Sequence, residues 1–291
     1  MRRFAAALAL AACSFATPAH AQVSPGEKIT KHNADKLVGI APEGVIWCVR
    51  NGMDIDVVPY EEVPIPKDYR QATEQYSAQV QLTKDRMLGN WVAGKPFPDI
   101  DPNDPDAATK IMYNFERTHY FSETLYLNLT DADTGSLHRT ANGDPVYSVE
   151  RHFIPEWLRI LRFQGRLKND PKPEIEPNHD QVFYKAGLYP LIEPFDLKGV
   201  GGVSFRYLDQ KKQDDTWLYL PQLRRVRRLS TAQRSDALFG QDIDIDSFGG
   251  YAGQVPWFEW KLLGVKPMLA SMHGRRLPPE PCKGDGGMTF C

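Results

Sequence analysis

The stretch that decides the fold is "VSFRYLDQKKQDDTWLYLPQLRRVRRLS", residues 203–230. In its first seven residues, Val203, Phe205 and Tyr207 alternate with polar or charged side chains, which is the two-residue period of a strand with one buried face. The polar run 209–215 that follows has the composition of a turn. The stretch therefore predicts consecutive antiparallel strands, the first of which carries an aromatic-rich face.

The second half of the stretch predicts a hairpin. In "DTWLYLP", Trp217 and Tyr219 alternate with leucines, which indicates a central strand covered on both sides. Pro221 then marks a tight turn into "RRVRRLS". On that last strand Arg225 and Arg227 face one side, so the four closely spaced arginines are divided between the two faces.

Two interpretations of this arginine hairpin remain open. The alternating run "GQDIDIDSFGG" places Asp242, Asp244 and Asp246 on one side, and these or other acids would pair with the arginines at a sheet edge. Alternatively, Arg225 and Arg227 form a rim that contacts a head group or a partner protein. The three aspartates lack the glycine and glutamate of a calcium loop, so we expect no metal site there.

Beyond residue 120 the period of the sequence changes from helical to two. Upstream, helix start signals include Pro42, Asp68 as a cap, and Asp104 as a cap ahead of Pro105. Seven strand-length segments follow without a long helix between them, which predicts an α+β fold with a strongly curved antiparallel sheet. The segments are "ETLYLNLT", "DPVYSVERHFI", "EWLRILRFQGRLK", "VSFRYLD", "DTWLYLP", "RRVRRLS" and "FEWKLLGVKPML".

The aromatic faces of these strands predict a cavity for an apolar ligand. Several rings on one curved sheet interdigitate less tightly than leucine and valine do, and aromatic side chains commonly line sites for apolar ligands. A solid hydrophobic core is the alternative for each ring taken singly. The predicted lining residues are Phe205, Tyr207, Trp217, Tyr219, Phe258 and Trp260.

The chain begins with a secretory signal. Two arginines precede a short apolar run, and Ala19-His20-Ala21 forms a small-residue cleavage site, so residues 1–21 read as a signal peptide and the mature protein as periplasmic. Cleavage before Cys13 would instead give an outer-membrane lipoprotein. The formal net charge is −2, and the signal contains two of the basic residues. A nucleic-acid partner is therefore not expected.

Export places the cysteines in an oxidising compartment. The tail "CKGDGGMTFC" brackets a glycine-rich loop, and we expect a disulfide between Cys282 and Cys291. Cys48 lies among apolar residues in "VIWCV", which favours a buried, inert thiol, although a bridge from Cys48 to the tail remains open. The sequence shows no nucleophile with its base, no paired metal-ligand spacing and no cofactor motif, so we expect neither catalysis, nor a cofactor, nor a metal.

Residues 194–264 carry a family resemblance. "TWLYLP", the arginine run 224–228 and "FGQD" within this range, together with segments 72–82 and 89–115, resemble the bacterial envelope family known as domain of unknown function 1329, which is grouped in fold with the lipoprotein carriers LolA and LolB. The resemblance implies an antiparallel half-barrel, with helices across its concave side and a lipophilic cavity beneath them. Members are associated with envelope lipid traffic and exporters.

These observations divide the chain into a signal peptide (1–21), a mixed helical part (22–120), a β half-barrel (121–275) and a cysteine-bracketed tail (276–291). Family members usually continue past such a tail, so the resemblance implies either a truncated version of the family or an incomplete gene product. The predicted function is a non-catalytic carrier for a lipid or other hydrophobic molecule. The alternative is an accessory subunit that contacts an envelope exporter or outer-membrane partner through the arginine hairpin.

Overall fold

A computed structural model describes residues 23–118, 123–230, 234–247 and 249–270. The described residues form three α-helices and twelve β-strands. The helices are α1 (Glu43–Arg50), α2 (Lys67–Tyr76) and α3 (Ala107–Arg117). The strands are β1 (Lys28–Ile29), β2 (Ile55–Asp56), β3 (Gln81–Leu82), β4 (Leu88–Gly89), β5 (Thr124–Asn128), β6 (Thr134–Arg139), β7 (Pro145–Arg151), β8 (Ile154–Arg162), β9 (Val182–Glu193), β10 (Gly201–Tyr207), β11 (Asp215–Leu220) and β12 (Arg225–Arg228).

The described residues divide into two compact units, of which the first contains residues 23–63, 141–145 and 265–270. In its described part, β1 pairs with β2 in an antiparallel ladder, and α1 packs beside them. The core is formed by fully buried aliphatic side chains, among them Ile29, Leu37 and Ile46. Burial of such side chains contributes about 1.5–3 kcal/mol each, which makes this cluster the main support of the unit.

The second unit contains the described residues within 64–140 and 146–264 and holds the large sheet. Its six strands lie in the order β12-β11-β10-β9-β8-β5, and each pairs antiparallel with its neighbours. Two further two-stranded ladders join β3 to β4 and β6 to β7. The predicted α+β fold with a large antiparallel sheet is confirmed. Among the described residues, no helix combines the length and the apolar character needed to cross a membrane.

The helix boundaries agree with the sequence signals at α1 and differ at the other two. Helix α1 has Pro42 at its N-cap and Asn51 at its C-cap, as predicted. Helix α2 starts one residue before Asp68, whose carboxylate instead accepts the N–H of Tyr69, 2.9 Å away. Helix α3 starts later than predicted because Asp104 uses its side chain to close a turn onto the N–H of Asp106.

Beyond residue 120, two described strands were missed and one predicted strand is wrong. Strand β9 is twelve residues long and central, but its internal glycine and proline hide the alternation in the sequence. The short β6 was also not predicted. The predicted strand from Phe258 onwards does not form, because the indole N–H of Trp260 donates to the carbonyl of Val255, 2.8 Å away, in an irregular segment after a 3-10 turn.

Candidate functional site

Strand pairing sorts the side chains of the large sheet into two faces. Val203 lies directly opposite Trp217 on one neighbouring strand and Gly187 on the other. Directly paired residues point to the same side of a sheet, so these positions share one face, which we call the ring face. The opposite face carries Arg206, and we call it the helix face because Glu116 of α3 lies 3.5 Å from that guanidinium.

An open groove with a volume of about 610 Å³ lies on the ring face. This volume falls in the range of small-molecule sites in proteins. Gly187 leaves a gap in the floor because it has no side chain between its cross-strand neighbours Arg159 and Val203. The apolar side chains that line the groove from this face are Tyr126, Trp157, Leu161, Val203 and Phe205.

Two cations also line the groove. The guanidinium of Arg159 lies 4.4 Å from the ring centre of Tyr126 and 4.6 Å from that of Trp157. The ammonium of Lys185 lies 5.5 Å from the ring centre of Phe163. Both cations therefore lie over aromatic rings, whose π-electrons attract positive charge.

The structure places four of the six predicted lining rings on the ring face. Phe205 lines the groove, while Tyr207, Trp217 and Tyr219 share its face through strand alternation and pairing but lie outside the lining. Tyr207 is buried, and its hydroxyl donates to the carboxylate of Asp215, 2.8 Å away. Burial, together with this hydrogen bond, raises the pKa of Tyr207 to about 12.

Phe258 and Trp260 are not brought to the groove. Trp260 and Phe258 pack edge-on against Tyr251, with ring centres 5.2 and 6.2 Å from the Tyr251 ring. The next residue, Ala252, accepts a hydrogen bond from Arg206, so this aromatic cluster lies on the helix face side. Alternation in "FEWKLL" predicted that these rings share a face with the other rings. Alternation defines a sheet face only in a paired strand, and this segment does not form one.

The helix face carries a buried charged network. Arg206 and Arg234 both donate to Asp214, at 2.8 and 2.9 Å, and both also donate to the carbonyl of Ala252. Buried charges are tolerated when they are paired and hydrogen-bonded, as here. These ion pairs lie beside α3, and the groove lies on the opposite face of the sheet. The lipophilic cavity that the resemblance implies between helices and sheet stays a prediction.

The arginine hairpin forms as predicted. Leu220 pairs with Arg225, and the N–H of Arg224 donates to the carbonyl of Pro221, 3.1 Å away, to close the turn. Strand β12 is an edge of the sheet. Of the four arginines, Arg228 forms an ion pair with Asp215 on the ring face.

The three aspartates expected to pair with the arginine hairpin, Asp242, Asp244 and Asp246, form no ion pair with it among the described residues. Asp246 binds Arg234 at 2.5 Å, and Asp244 accepts the N–H of Ser247, because this segment forms turns instead of the expected alternating run. Within the described part of the chain, Arg225 and Arg227 make no ion pair and their side chains are exposed. These two guanidiniums are therefore available to solvent or to a partner.

One cluster of described residues could hold a metal ion. The Nδ1 atom of His152 lies 2.9 Å from Asp131 and 2.8 Å from Asp133, and the three ligand atoms lie within 4.8 Å of one another. Carboxylate and imidazole ligands suit a divalent transition metal. Burial raises the pKa of Asp131, and the hydrogen bond to Asp131 raises the pKa of His152. The spacing of about twenty residues gave no sequence signal for this cluster.

Several sequence predictions lie outside the described residues. They are the signal peptide over 1–21, the lipoprotein cleavage site at Cys13 and the disulfide between Cys282 and Cys291. Cys48 is described as a free, half-buried cysteine on α1.

Comparison with known proteins gives a family and two distant structural neighbours. The model of the family described as "Protein of unknown function (DUF1329)" matches residues 28–284. None of the curated proteins compared with the chain matches it. A DUF1329 family protein from Desulfovibrio piger superposes with a TM-score of 0.33 at 17% identity, over 54% of this chain and 52% of that chain. A putative outer membrane lipoprotein-sorting protein domain from Vibrio parahaemolyticus gives a TM-score of 0.32 at 16% identity, over 53% and 51%. The chain thus matches about half the length of each solved structure.

Proposed function

Since the chain belongs to the DUF1329 family, whose description names no activity, we propose a function from the groove on the ring face. The chain is a non-catalytic binding or carrier protein for a lipid or another hydrophobic molecule. The single observation that carries this proposal is an open, mainly apolar groove of about 610 Å³ on a regular six-stranded sheet.

The exposure of the ring face supports a ligand that covers it. Tyr126 is 49% exposed, Tyr189 45% and Trp217 39%, and all three rings lie on the ring face of the sheet. Covering apolar surface contributes about 25 cal/mol per Å², so a hydrophobic molecule gains affinity along this face. Contiguous apolar surface of this kind is typical of ligand or partner sites.

Blocking the groove tests this function. Val203 lines the groove and is only half-buried, so Val203→Trp fills the space from a position that tolerates a larger side chain. The matched control is Val146→Trp, at a 46% exposed position on β7, outside the six-stranded sheet. The full chain is purified from envelope fractions, extracted into organic solvent and assayed by mass spectrometry, and a fluorescent hydrophobic probe is titrated into each variant.

We expect the native chain to carry an extractable hydrophobic compound and to bind the probe with micromolar affinity. Val203→Trp should weaken probe binding at least ten-fold, whereas Val146→Trp should leave it unchanged. If the native chain yields no bound compound and no probe binding, or if both variants behave alike, the carrier function is wrong.

A periplasmic location is part of the proposal. The signal features of residues 1–21 support export, and Cys13 offers the alternative of a lipidated outer-membrane form. Intact-mass measurement of the protein from fractionated cells separates the two. A mature chain that starts at Gln22 supports the periplasmic form, and a diacylated chain that starts at Cys13 supports the lipoprotein.

A second candidate function rests on the arginine hairpin. Exposed Arg225 and Arg227 on an edge strand offer a cationic contact for an acidic surface of an envelope partner. The double charge reversal Arg225→Glu with Arg227→Glu should abolish co-purification with that partner and leave probe binding in the groove intact. Unchanged co-purification would remove this candidate.

A further inference from the structure

We propose that the groove selects an amphiphile with one anionic head group, carboxylate or phosphate, which Arg159 and Lys185 bind while the apolar chain lies on the ring face. This inference rests on the proposed function and narrows its ligand class. A neutral hydrophobic molecule would need only the apolar lining, so the two cations are the observation that calls for a charged head group.

Arg159 is held at the groove by its two aromatic contacts. Its guanidinium lies 4.4 and 4.6 Å from the ring centres of Tyr126 and Trp157. Ring contacts use the flat face of a guanidinium and leave its in-plane N–H groups available for a bidentate anion. Among the described residues, no hydrogen bond or ion pair engages Arg159, and its side chain is exposed.

Lys185 projects into an apolar neighbourhood. Its cross-strand partners are Leu161 on β8 and Phe205 on β10, and both line the groove. The residue is half-buried, so its charge is partly removed from water. No described carboxylate forms an ion pair with it, which leaves this partly desolvated ammonium without a counter-charge.

The two cations are close enough to share one head group. Arg159 is paired with Gly187, which is two residues from Lys185 on β9. Such diagonal positions lie roughly 7–8 Å apart, and two long side chains can converge on one anion across that distance.

The carboxylate of Asp215, which is also on the ring face, does not compensate them. Asp215 lies opposite Phe205 on the next strand, but it already forms an ion pair with Arg228 and accepts the hydroxyl of Tyr207 at 2.8 Å. These contacts hold the pKa of Asp215 below its ordinary value despite the opposing effect of burial. The groove therefore retains two positive charges at its apolar lining.

Four probes distinguish the contribution of the head group to affinity from that of the alkyl chain. Dodecanoate and dodecyl phosphate carry an anionic head group, dodecyl maltoside carries the same chain on a neutral head group, and inorganic phosphate carries no chain. Affinities are measured by calorimetry on the full chain, delipidated beforehand, at low and high salt. The charge-removing variants are Arg159→Gln and Lys185→Gln, and the matched control is Arg70→Gln, at an exposed arginine on α2.

We expect both anionic amphiphiles to bind about ten-fold more tightly than dodecyl maltoside, and salt to reduce this difference. Arg159→Gln and Lys185→Gln should each weaken anionic binding about three- to five-fold and leave maltoside binding unchanged. Arg70→Gln should change neither. The stronger of dodecanoate and dodecyl phosphate identifies the head group as carboxylate or phosphate.

Other outcomes overturn the inference. If the maltoside binds as tightly as the anionic probes and Val203→Trp still blocks it, the inference is wrong and the carrier function stands. If inorganic phosphate binds as tightly as dodecyl phosphate, the site recognises an anion without a chain and the inference is again wrong. If no amphiphile binds to the groove, the proposed function itself fails.

Discussion

The carbonyl oxygen of Gly202 lies 2.9 Å from the position that a Cβ atom on Gly187 would occupy. The two glycines are on neighbouring strands, and Gly187 forms part of the groove floor. A separation below 3.0 Å to a backbone atom cannot be relieved by a side-chain rotation. The absence of a side chain at this position therefore serves both the close approach of β9 to β10 and the depth of the groove.

Gly187→Ala should consequently destabilise the large sheet. Overpacking of this kind typically costs about 1–3 kcal/mol, because the strands must separate to admit the methyl group. The matched control is Gly202→Ala, whose Cβ would meet its nearest neighbours at an ordinary 3.6 Å. Urea unfolding measures both variants, and equal losses of the free energy of unfolding would contradict the assigned contact.

A second prediction concerns the buried charge network. Asp214 is 4% exposed and receives hydrogen bonds from both Arg206 and Arg234. Asp214→Ala leaves two guanidiniums buried without this partner and should lower the free energy of unfolding by about 3–5 kcal/mol. Asp85→Ala removes an exposed partner of Lys211 and should cost less than about 1 kcal/mol.

Thermal or urea unfolding of both aspartate variants checks this difference. The single variant Asp214→Asn keeps the shape of the side chain and loses its charge. Its free energy of unfolding should fall between those of the native chain and Asp214→Ala. Equal stability of Asp214→Ala and Asp85→Ala would show that the helix face network does not hold the segment at Ala252 to the sheet.

The sequence predicted the hairpin from residue 215 to residue 228 because its information is local. Alternation fixes which side chains share a face, and Pro221 marks the turn, so the pairing of Leu220 with Arg225 follows from short-range features. The common face of Phe205 and Trp217 followed from the same alternation and the antiparallel register. The fold class was predictable for this reason.

The groove was less predictable because it depends on strand β9, whose alternating pattern cannot be recognised in the sequence. Strand β9 supplies Gly187 and Lys185, yet a glycine and a proline interrupt its pattern. Without β9, the cross-strand position of Arg159 beside Gly187 cannot be deduced. Phe258 and Trp260 lie outside the groove lining for the opposite reason, since alternation is present there and no partner strand forms among the described residues.

A third prediction concerns Glu123, which is 3% exposed. Burial alone would raise the pKa of Glu123, but its carboxylate accepts the backbone N–H groups of Leu167, Lys168 and Asn169, which together hold the pKa below its ordinary value. A lowered pKa contributes stability that is present above about pH 4.5 and is lost as the pH falls through the folded-state pKa.

Glu123→Gln should therefore lower the free energy of unfolding by about 1–3 kcal/mol at pH 7, and the difference from the native chain should shrink below about pH 4.5. Urea unfolding across pH 3–7 measures this. Glu74→Gln, on the exposed surface of α2, is the control and should show no difference at any pH. A pH-independent cost at Glu123 would show that the loss is steric.

The last prediction uses the cluster of His152, Asp131 and Asp133. The hydrogen bond to Asp131 raises the pKa of His152 above its ordinary value near 6.5. The negative charges of Asp131 and Asp133 raise this pKa further, and partial burial of the ring has the opposite effect. A raised pKa contributes stability that is fully present below pH 6.5 and is lost as the pH rises through the folded-state pKa. The native chain should therefore lose stability on going from pH 6 to pH 8.5, and His152→Gln should lose less.

His138→Gln, at an exposed histidine on β6, is the control and should follow the native pH dependence. Proton NMR titration of the His152 ring gives the pKa directly, and Asp133→Asn should move it back toward 6.5 because one of the two facing carboxylates is removed. Parallel pH profiles for the native chain and His152→Gln would contradict the assignment, since they would mean that the charge on His152 does not stabilise the junction of β7 and β8.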